Sequence, residues 1–85
     1  MALTVLYFAR LRERLGLAQE GIALQPNLTS VGDLLNYLRA RGPQWQAALG
    51  DEKGVRVAVN QDLAQNDMRL KDGDEVALFP PVTGG

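Results

Sequence analysis

The groups of this sequence that could carry chemistry lie at its C-terminal end, where Gly84-Gly85 follow Phe79-Pro80-Pro81-Val82-Thr83. Glycine has no Cβ and the freest backbone, so two consecutive glycines pack against nothing and cost entropy to order. A terminal carboxylate on such a segment is slender enough to enter a narrow channel in which a side chain would clash. Taken alone, two final glycines are more typical of a frayed terminus, so the rest of the sequence has to decide between these interpretations.

Side chains that usually act in catalysis or metal binding are missing from the sequence. Its 85 residues include no Cys and no His, which excludes thiol nucleophiles, disulfides, thiolate-zinc sites and imidazole bases. The acidic cluster Asp72-Gly73-Asp74-Glu75 does not have the spacing of a calcium-binding loop, so no metal site is predicted. We therefore expect a carrier, a subunit or a binding module in preference to a free-standing enzyme.

Composition and charge narrow the possible partners and location. A hydrophobic content of 46% supports one modest core, which we assign to a domain over residues 1–81 followed by a flexible tail over residues 82–85. The formal net charge of -1 indicates no nucleic-acid or anionic-membrane partner. No apolar run reaches the ~18–20 residues of a membrane span. The N-terminal residues lead directly into a strand pattern without a basic segment, so we expect no signal peptide and a cytoplasmic location.

Alternating apolar residues predict the strands that would position the tail. The first strand is predicted over residues 3–8, and its apolar face carries Leu3, Val5 and Tyr7. Similar signals predict further strand segments over residues 21–24, 55–59, 68–70 and 75–79. Turns are predicted at Asn60-Gln61-Asp62 and at Asp72-Gly73. Pro80-Pro81 should end the last strand, because proline cannot donate a ladder hydrogen bond.

Helical spacing predicts one main helix and two short ones. Ser30 and Asp33 form a capping-box pattern, and an apolar stripe follows at Val31, Leu34, Leu35 and Leu38. Gly42-Pro43 is predicted to end this helix. One short helix is predicted over residues 9–15, stopped by Gly16, with a face formed by Phe8, Leu11 and Leu15. The other is predicted over residues 44–49 and carries Trp45, which we expect to pack in the core.

Three blocks of the sequence together resemble one known family. These blocks are Leu6-Tyr7-Phe8-Ala9-Arg10-Leu11-Arg12-Glu13, Val57-Ala58-Val59-Asn60-Gln61 and the final sixteen residues, Leu70-Lys71-Asp72-Gly73-Asp74-Glu75-Val76-Ala77-Leu78-Phe79-Pro80-Pro81-Val82-Thr83-Gly84-Gly85. They are similar to the small subunit of molybdopterin synthase, in the same order and over the whole length. The first block distinguishes this family from the related thiamine-pathway sulfur carriers, which share the Gly-Gly end.

The resemblance implies a fold and a role. The fold would be α+β, a ubiquitin-like β-grasp in which a mixed sheet packs on one main helix in the order β-β-α-β-β, with short helical inserts. The Gly85 carboxylate would be adenylated with ATP by an activating enzyme and converted to a thiocarboxylate with sulfur from a donor protein. The sulfur would then pass to cyclic pyranopterin monophosphate in the large synthase subunit, within a heterotetramer. No cofactor would be bound permanently, and catalytic side chains would belong to the partners.

The resemblance also implies which residues meet the partners. The tail would comprise Pro80, Pro81, Val82, Thr83, Gly84 and the reactive Gly85. In a β-grasp domain the first and last strands are neighbours, so Val76 and Leu78 are assigned to the core with Leu3, Val5 and Tyr7. Phe8 and Phe79 then lie on the opposite face and are predicted to form a partner patch with Leu63. The alternative is that the short helix over residues 9–15 covers Phe8. Arg12 is either a solvated helix residue or a salt-bridge partner of the large subunit.

Three other functions fit parts of the sequence. A ubiquitin-like protein modifier would use the same fold and tail, and a lysine amine would attack the activated Gly85 in place of sulfur. A sulfur carrier for another cofactor such as thiamine is disfavoured by the chain length and by the block from Leu6 to Glu13. A plain interaction module with an incidental Gly-Gly end is disfavoured by the full-length resemblance.

Overall fold

The computed structural model describes residues 2–50 and 55–81, in which five strands form one mixed sheet. The strands are β1 (Ala2–Tyr7), β2 (Gln19–Ala23), β3 (Arg56–Val59), β4 (Asp62–Leu63) and β5 (Glu75–Phe79). Their order in the sheet is β2-β1-β5-β3-β4. β1 and β5 are parallel neighbours at the centre, and the other pairs are antiparallel. This arrangement confirms the predicted α+β class and the predicted contact between the first and last strands.

Three helices pack on one side of this sheet: α1 (Ala9–Leu15), α2 (Val31–Arg39) and α3 (Pro43–Leu49). The predicted bounds of α1 are confirmed, and Gly16 ends it in the left-handed region at φ 68°. Gly42-Pro43 were predicted to end α2, which is wrong, because α2 already ends at Arg39. They begin α3 instead, where the missing N–H of Pro43 costs no helical hydrogen bond. None of the helices in the described ranges has the length and hydropathy that a bilayer crossing requires.

The start of α2 shows the predicted capping box. The Asp33 amide donates to Ser30 Oγ at 3.2 Å, and the Ser30 amide donates to Asp33 Oδ2 at 3.2 Å. The Thr29 amide donates to the same carboxylate oxygen at 3.0 Å, and these hydrogen bonds hold the pKa of Asp33 below its ordinary value. The helix is thereby oriented so that its apolar stripe enters the core.

The core lies between the sheet and the helices, and it confirms the predicted faces. Leu3, Val5 and Tyr7 of β1 are at most 1% exposed, and Val76 and Leu78 of β5 are fully buried. The whole α2 stripe joins them: Val31, Leu34, Leu35 and Leu38. Because alternate residues of a strand point to opposite faces, burial of this set leaves the intervening residues of β1 and β5 on the other side of the sheet.

Two local predictions differ from the structure. Residues 68–70 do not form a strand, and only an isolated bridge joins Arg69 to Ser30. The strand β4 was not predicted, because two residues are too few to show an alternating pattern. It pairs with β3 after a turn in which Asn60 and Gln61 adopt left-handed backbone angles, φ 51° and 74°. This mirror-image turn suits the twist of a hairpin.

An ion pair and aromatic rings join the first hairpin to α3. Tyr7 donates from its hydroxyl to Glu20 at 2.7 Å, and Arg41 donates to both carboxylate oxygens of Glu20 at 2.8 Å. The Arg41 guanidinium lies 4.6 Å from the centre of the Trp45 ring, which meets Tyr7 edge-on. Hydrogen bonds from Arg41 lower the pKa of Glu20, and burial raises that of Tyr7. Trp45 packs against the core as predicted.

Asp74 is a buried carboxylate that ties three segments together at one end of the sheet. It is 5% exposed and accepts hydrogen bonds from Asn60 Nδ2 at 3.0 Å and from the Lys71 amide at 2.8 Å. Its own carbonyl accepts from the Thr4 amide at 3.0 Å. Burial opposes ionisation, but the hydrogen bonds from Asn60 and Lys71 outweigh it and lower the pKa of Asp74.

The free energy of unfolding should fall as the pH drops below about 4, the ordinary pKa of aspartate. Because the folded-state pKa of Asp74 is lowered, its carboxylate stabilises the fold above the unfolded-state pKa, and this contribution is lost as the pH falls through the folded-state pKa. Asp74→Asn should lower the free energy of unfolding by about 1–3 kcal/mol near neutral pH. The variant should also lose less unfolding free energy on acidification than the parent chain. The loss that remains comes from Glu20 and Asp33, whose pKa values are also lowered.

Denaturant titrations over a pH series measure both effects. Asp67→Asn is the matched control, because Asp67 is exposed, and this variant should follow the parent chain at every pH. An Asp74→Asn variant with the full acid sensitivity of the parent would show that other groups are responsible.

Candidate functional site

The face of the sheet opposite the helices carries a largely apolar surface. We call it the open face and define it by the outward residues of four strands and by Phe8: Thr4, Leu6, Phe8, Arg56, Ala58, Leu63, Glu75, Ala77 and Phe79. Strand pairing places Leu6 beside Ala77, Ala77 beside Ala58, and Ala58 beside Leu63. The open face is therefore one continuous row across four strands. Leu63 is 72% exposed, and it is informative here because it belongs to a continuous apolar patch.

Phe8 and Phe79 lie at the end of the open face from which the tail departs. The Phe8 amide donates to the Leu78 carbonyl at 3.1 Å, which extends the parallel pairing of β1 and β5 by one residue. Phe8 is 45% exposed and has extended backbone angles as the N-cap of α1. Leu11 is 3% exposed, so the prediction that Phe8 shares one face with Leu11 is wrong, and so is the alternative that α1 covers Phe8. The chain turns at Ala9, which has φ 53°, and this turn leads α1 away without burying Phe8.

The predicted partner residues separate into a group on the open face and one on α1. Phe8, Leu63 and Phe79 share the open face, where the sequence placed them. Arg12 is exposed on α1, and within the described ranges it has no carboxylate partner. Its role toward the large subunit stays a prediction.

Sequence reasoning missed Arg56 and Ala58, which belong to the same surface. Arg56 is the cross-strand neighbour of Phe79 and is exposed, whereas Val55 and Val57 on either side of it are buried. That alternation was visible in the sequence, and it would have placed Arg56 on the open face. Its position beside Phe79, however, follows from the register of β3 with β5.

The tail begins at this same end of the sheet. Pro80 and Pro81 follow β5 and are half-buried, so the chain leaves the last strand next to Phe8, Phe79 and Arg56. Val82, Thr83, Gly84 and Gly85 lie outside the described residues, and so does the predicted flexibility of residues 82–85. The predictions about these four residues stay predictions.

The described part of the chain offers a binding surface and no cluster of catalytic side chains. Within residues 2–50 and 55–81, no group of three or more acidic, histidine or cysteine residues could hold a metal ion. The buried carboxylate of Asp74 is already engaged by Asn60 and Lys71. Among the described residues, the feature suited to binding is the open face, which ends beside Pro81, the last described residue.

Comparison with known proteins places the chain in a family. The model of the ThiS family matches residues 5–85. The chain belongs to the ThiS family. One relative of this ThiS-family protein is the molybdopterin synthase sulfur carrier subunit of Haemophilus influenzae, which is 42% identical over 84 residues. The match covers 98% of this chain and 99% of the relative, and it confirms the resemblance seen in the sequence.

Solved structures confirm the ubiquitin-like β-grasp fold of this ThiS-family protein. SAMP1 from Haloferax volcanii, a small archaeal modifier protein, superposes with a TM-score of 0.81 at 28% identity, with full coverage (100%) of both chains. A chain in the complex of subunits 1 and 2 of the molybdopterin-converting factor from Helicobacter pylori superposes with a TM-score of 0.69 at 29% identity, also with 100% coverage of both. The first likeness is to a protein modifier and the second to a subunit of a two-protein complex.

Proposed function

We propose that this protein is the sulfur carrier subunit of a molybdopterin synthase. The observation that carries the proposal is the open face at the root of a Gly-Gly tail, in a chain whose H. influenzae relative bears that name. Such a surface lets a partner bind the domain while it receives the tail. The absence of Cys and His from the sequence fits a carrier whose reactive group is its own C-terminus.

The chemistry proceeds through activation of the Gly85 carboxylate. A carboxylate is a poor electrophile, and attack of its oxygen on the α-phosphate of ATP gives an acyl-adenylate and releases pyrophosphate. A sulfide-level sulfur nucleophile from a donor then adds to the acyl carbon and expels AMP, leaving a thiocarboxylate. This group is ionised and nucleophilic at neutral pH, so it attacks the acceptor carbon without a base from this chain. As the carbon–sulfur bond forms, a carbon–oxygen bond at that carbon breaks, and the oxygen substituent leaves with the electron pair. Hydrolysis of the resulting acyl–sulfur bond leaves sulfur on the acceptor and regenerates the carboxylate.

The partners in this scheme supply the catalytic groups. A large subunit binds the open face and holds the acceptor, cyclic pyranopterin monophosphate; the two-subunit complex from H. pylori supports such a pairing. A separate adenylating enzyme and a sulfur donor protein act before it, and two copies of each synthase subunit form a heterotetramer. ATP is consumed by the adenylating enzyme and is not a resident cofactor of this chain. We place all of these steps in the cytoplasm.

The residues of the tail suit insertion into a buried site. Residues 82–85 span at most ~13–14 Å when fully extended. Pro80 and Pro81 have fixed φ angles and favour an extended start, which reduces the entropy lost on insertion. Val82 and Thr83 are β-branched and prefer extended conformations.

Intact-mass analysis of the reconstituted reaction tests the proposal. The chain is incubated with ATP, the adenylating enzyme and a sulfide source, and the expected product has one C-terminal oxygen replaced by sulfur. This product should then convert cyclic pyranopterin monophosphate to molybdopterin when the large subunit is added. Failure to gain sulfur under conditions in which the H. influenzae relative does so would overturn the proposal.

Protein modification is the second candidate, favoured by the likeness to SAMP1. An amine in place of the sulfur nucleophile would leave Gly85 in an isopeptide bond with a lysine. The relative with the carrier name is more similar in sequence, at 42% identity against 28%, so the carrier function is preferred. Detection of this chain attached to other proteins in cells, together with no sulfur on its C-terminus, would reverse that preference.

Gly84→Val should sharply reduce sulfur transfer and leave the melting temperature unchanged. The branched side chain would clash at the narrow point of the channel, whereas residue 84 lies five positions beyond Phe79, the last residue of β5, and no described core residue is altered. Single-turnover transfer and differential scanning calorimetry measure the two quantities. Thr83→Val is the matched control, since it adds no bulk at the predicted narrow point. Normal transfer by Gly84→Val would show that passage does not require glycine.

A further inference from the structure

A groove of about 820 Å³ lies between β3 and the segment that follows β4. The apolar residues that line it are Leu63, Ala64 and Pro81, together with Val55 and Val57, which are themselves buried. Leu63 belongs to the open face as well, and Pro81 is the last described residue before the tail. The groove therefore continues the open face at the point where residues 82–85 depart.

Arg56 shares this groove with the carboxylate of Asp67, but among the described residues it forms no ion pair. It lines the groove and is exposed, and strand pairing sets it opposite Phe79. In the described part of the chain the ion pair that forms is between Arg41 and Glu20, so no described carboxylate pairs with Arg56.

A partner that covers this groove gains by supplying a carboxylate within pairing distance of Arg56, because Asp67 does not pair with it. Closing an apolar wall over the guanidinium removes its water, and an uncompensated charge at an interface is costly. A partner segment with a carboxylate beside an apolar side chain can pair with the Arg56 guanidinium and also cover the apolar residues of the groove. We propose that the groove receives a segment of the large subunit that carries a carboxylate, and that this carboxylate pairs with Arg56.

The large subunit is the occupant that the geometry favours. This inference rests on the proposed function, in which the large subunit covers Phe79 and takes up the tail. Since Arg56 is adjacent to Phe79 and Pro81 lines the groove, a partner that holds both the open face and the tail has to pass over the groove. A free anion would use the guanidinium but would leave the apolar residues of the groove uncovered.

Titration of the large subunit with Arg56 variants tests the pairing. Arg56→Glu should weaken binding by about 10-fold or more, because it places like charges together, and Arg56→Leu by about 3-fold to 10-fold. Arg56→Leu should also reduce the dependence of the association rate on salt, which loss of packing alone would not change. Arg69→Glu is the matched control, an exposed arginine outside the open face and the groove, and should bind within about 2-fold of the parent chain.

Two further chains distinguish the possible outcomes. Phe79→Lys tests the docking surface of the proposed function: if it strongly weakens binding and both Arg56 variants bind normally, the surface stands and the pairing is wrong. If the parent chain itself does not bind the large subunit, the proposed function fails first.

A chain that ends at Pro81 should keep the full effect of Arg56→Glu. Loss of the effect in that chain would assign the carboxylate to the chain's own C-terminus and overturn the inference.

Discussion

Deletion of Gly85 should abolish sulfur transfer and leave the melting temperature of the domain unchanged. The reactive carbon would move to Gly84, which shortens the reach of the tail by about 3.3–3.6 Å. A misplacement of even about 1 Å can cost ~100-fold in rate, so a loss of several ångströms should leave no measurable turnover. The buried core consists of residues from Leu3 to Leu78, and none of them is altered.

The measurement is thiocarboxylate formation by intact mass, followed by a single-turnover transfer assay. A chain with one alanine added after Gly85 is the companion variant, because it lengthens the tail by one residue and also removes the free glycine carboxylate. Both chains should be inactive and equally stable. A chain without Gly85 that still supports molybdopterin synthesis would refute the carrier mechanism.

Phe79→Lys should strongly weaken docking of the large subunit without unfolding the domain, and Leu78→Lys should unfold the domain. Phe79 lies on the open face and is half-buried, whereas Leu78 is fully buried in the core. Burial of one aromatic side chain contributes about 1.5–3 kcal/mol, so its loss at a central interface position should weaken binding by about 10-fold to 100-fold or more.

The effects on stability should separate the two neighbours equally clearly. Surface substitutions usually change the free energy of unfolding by less than about 0.5 kcal/mol, and Phe79→Lys should stay near that range. Leu78→Lys buries an ammonium group among apolar side chains, which costs far more than a domain of this size can lose.

Calorimetry of the free variants and a binding titration against the large subunit decide this pair. Leu63→Lys provides a second open-face variant, and because Leu63 is more exposed than Phe79, its stability should change even less. If Phe79→Lys unfolds the domain while Leu78→Lys folds and fails to bind, the assignment of the two faces is inverted.

Local sequence patterns were sufficient to predict most of the strands and helices and the faces that they bury. The alternation of Leu3, Val5 and Tyr7 and the stripe of α2 reflect the periods of a strand and a helix, which act over a few residues. The capping box at Ser30 is equally local, since its donors and acceptors lie within three positions. The boundary at Gly42-Pro43 was wrong because the same dipeptide can end one helix or begin the next.

For the candidate site too, some features could be predicted from the sequence and others were decided by the tertiary structure. With no Cys and no His among 85 residues, the sequence alone made a carrier more plausible than an enzyme with its own catalytic side chains. The exposure of Phe8, the pairing of Arg56 with Phe79 and the burial of Asp74 were decided by the tertiary structure. Each depends on residues distant in sequence. The burial of Asp74 depends on Asn60, the position of Arg56 on the register of β3 with β5, and the exposure of Phe8 on its hydrogen bond to Leu78 as well as on the local turn at Ala9. Side-chain periodicity does not specify which strands pair or in which register, because packing of the whole sheet against its helices selects them.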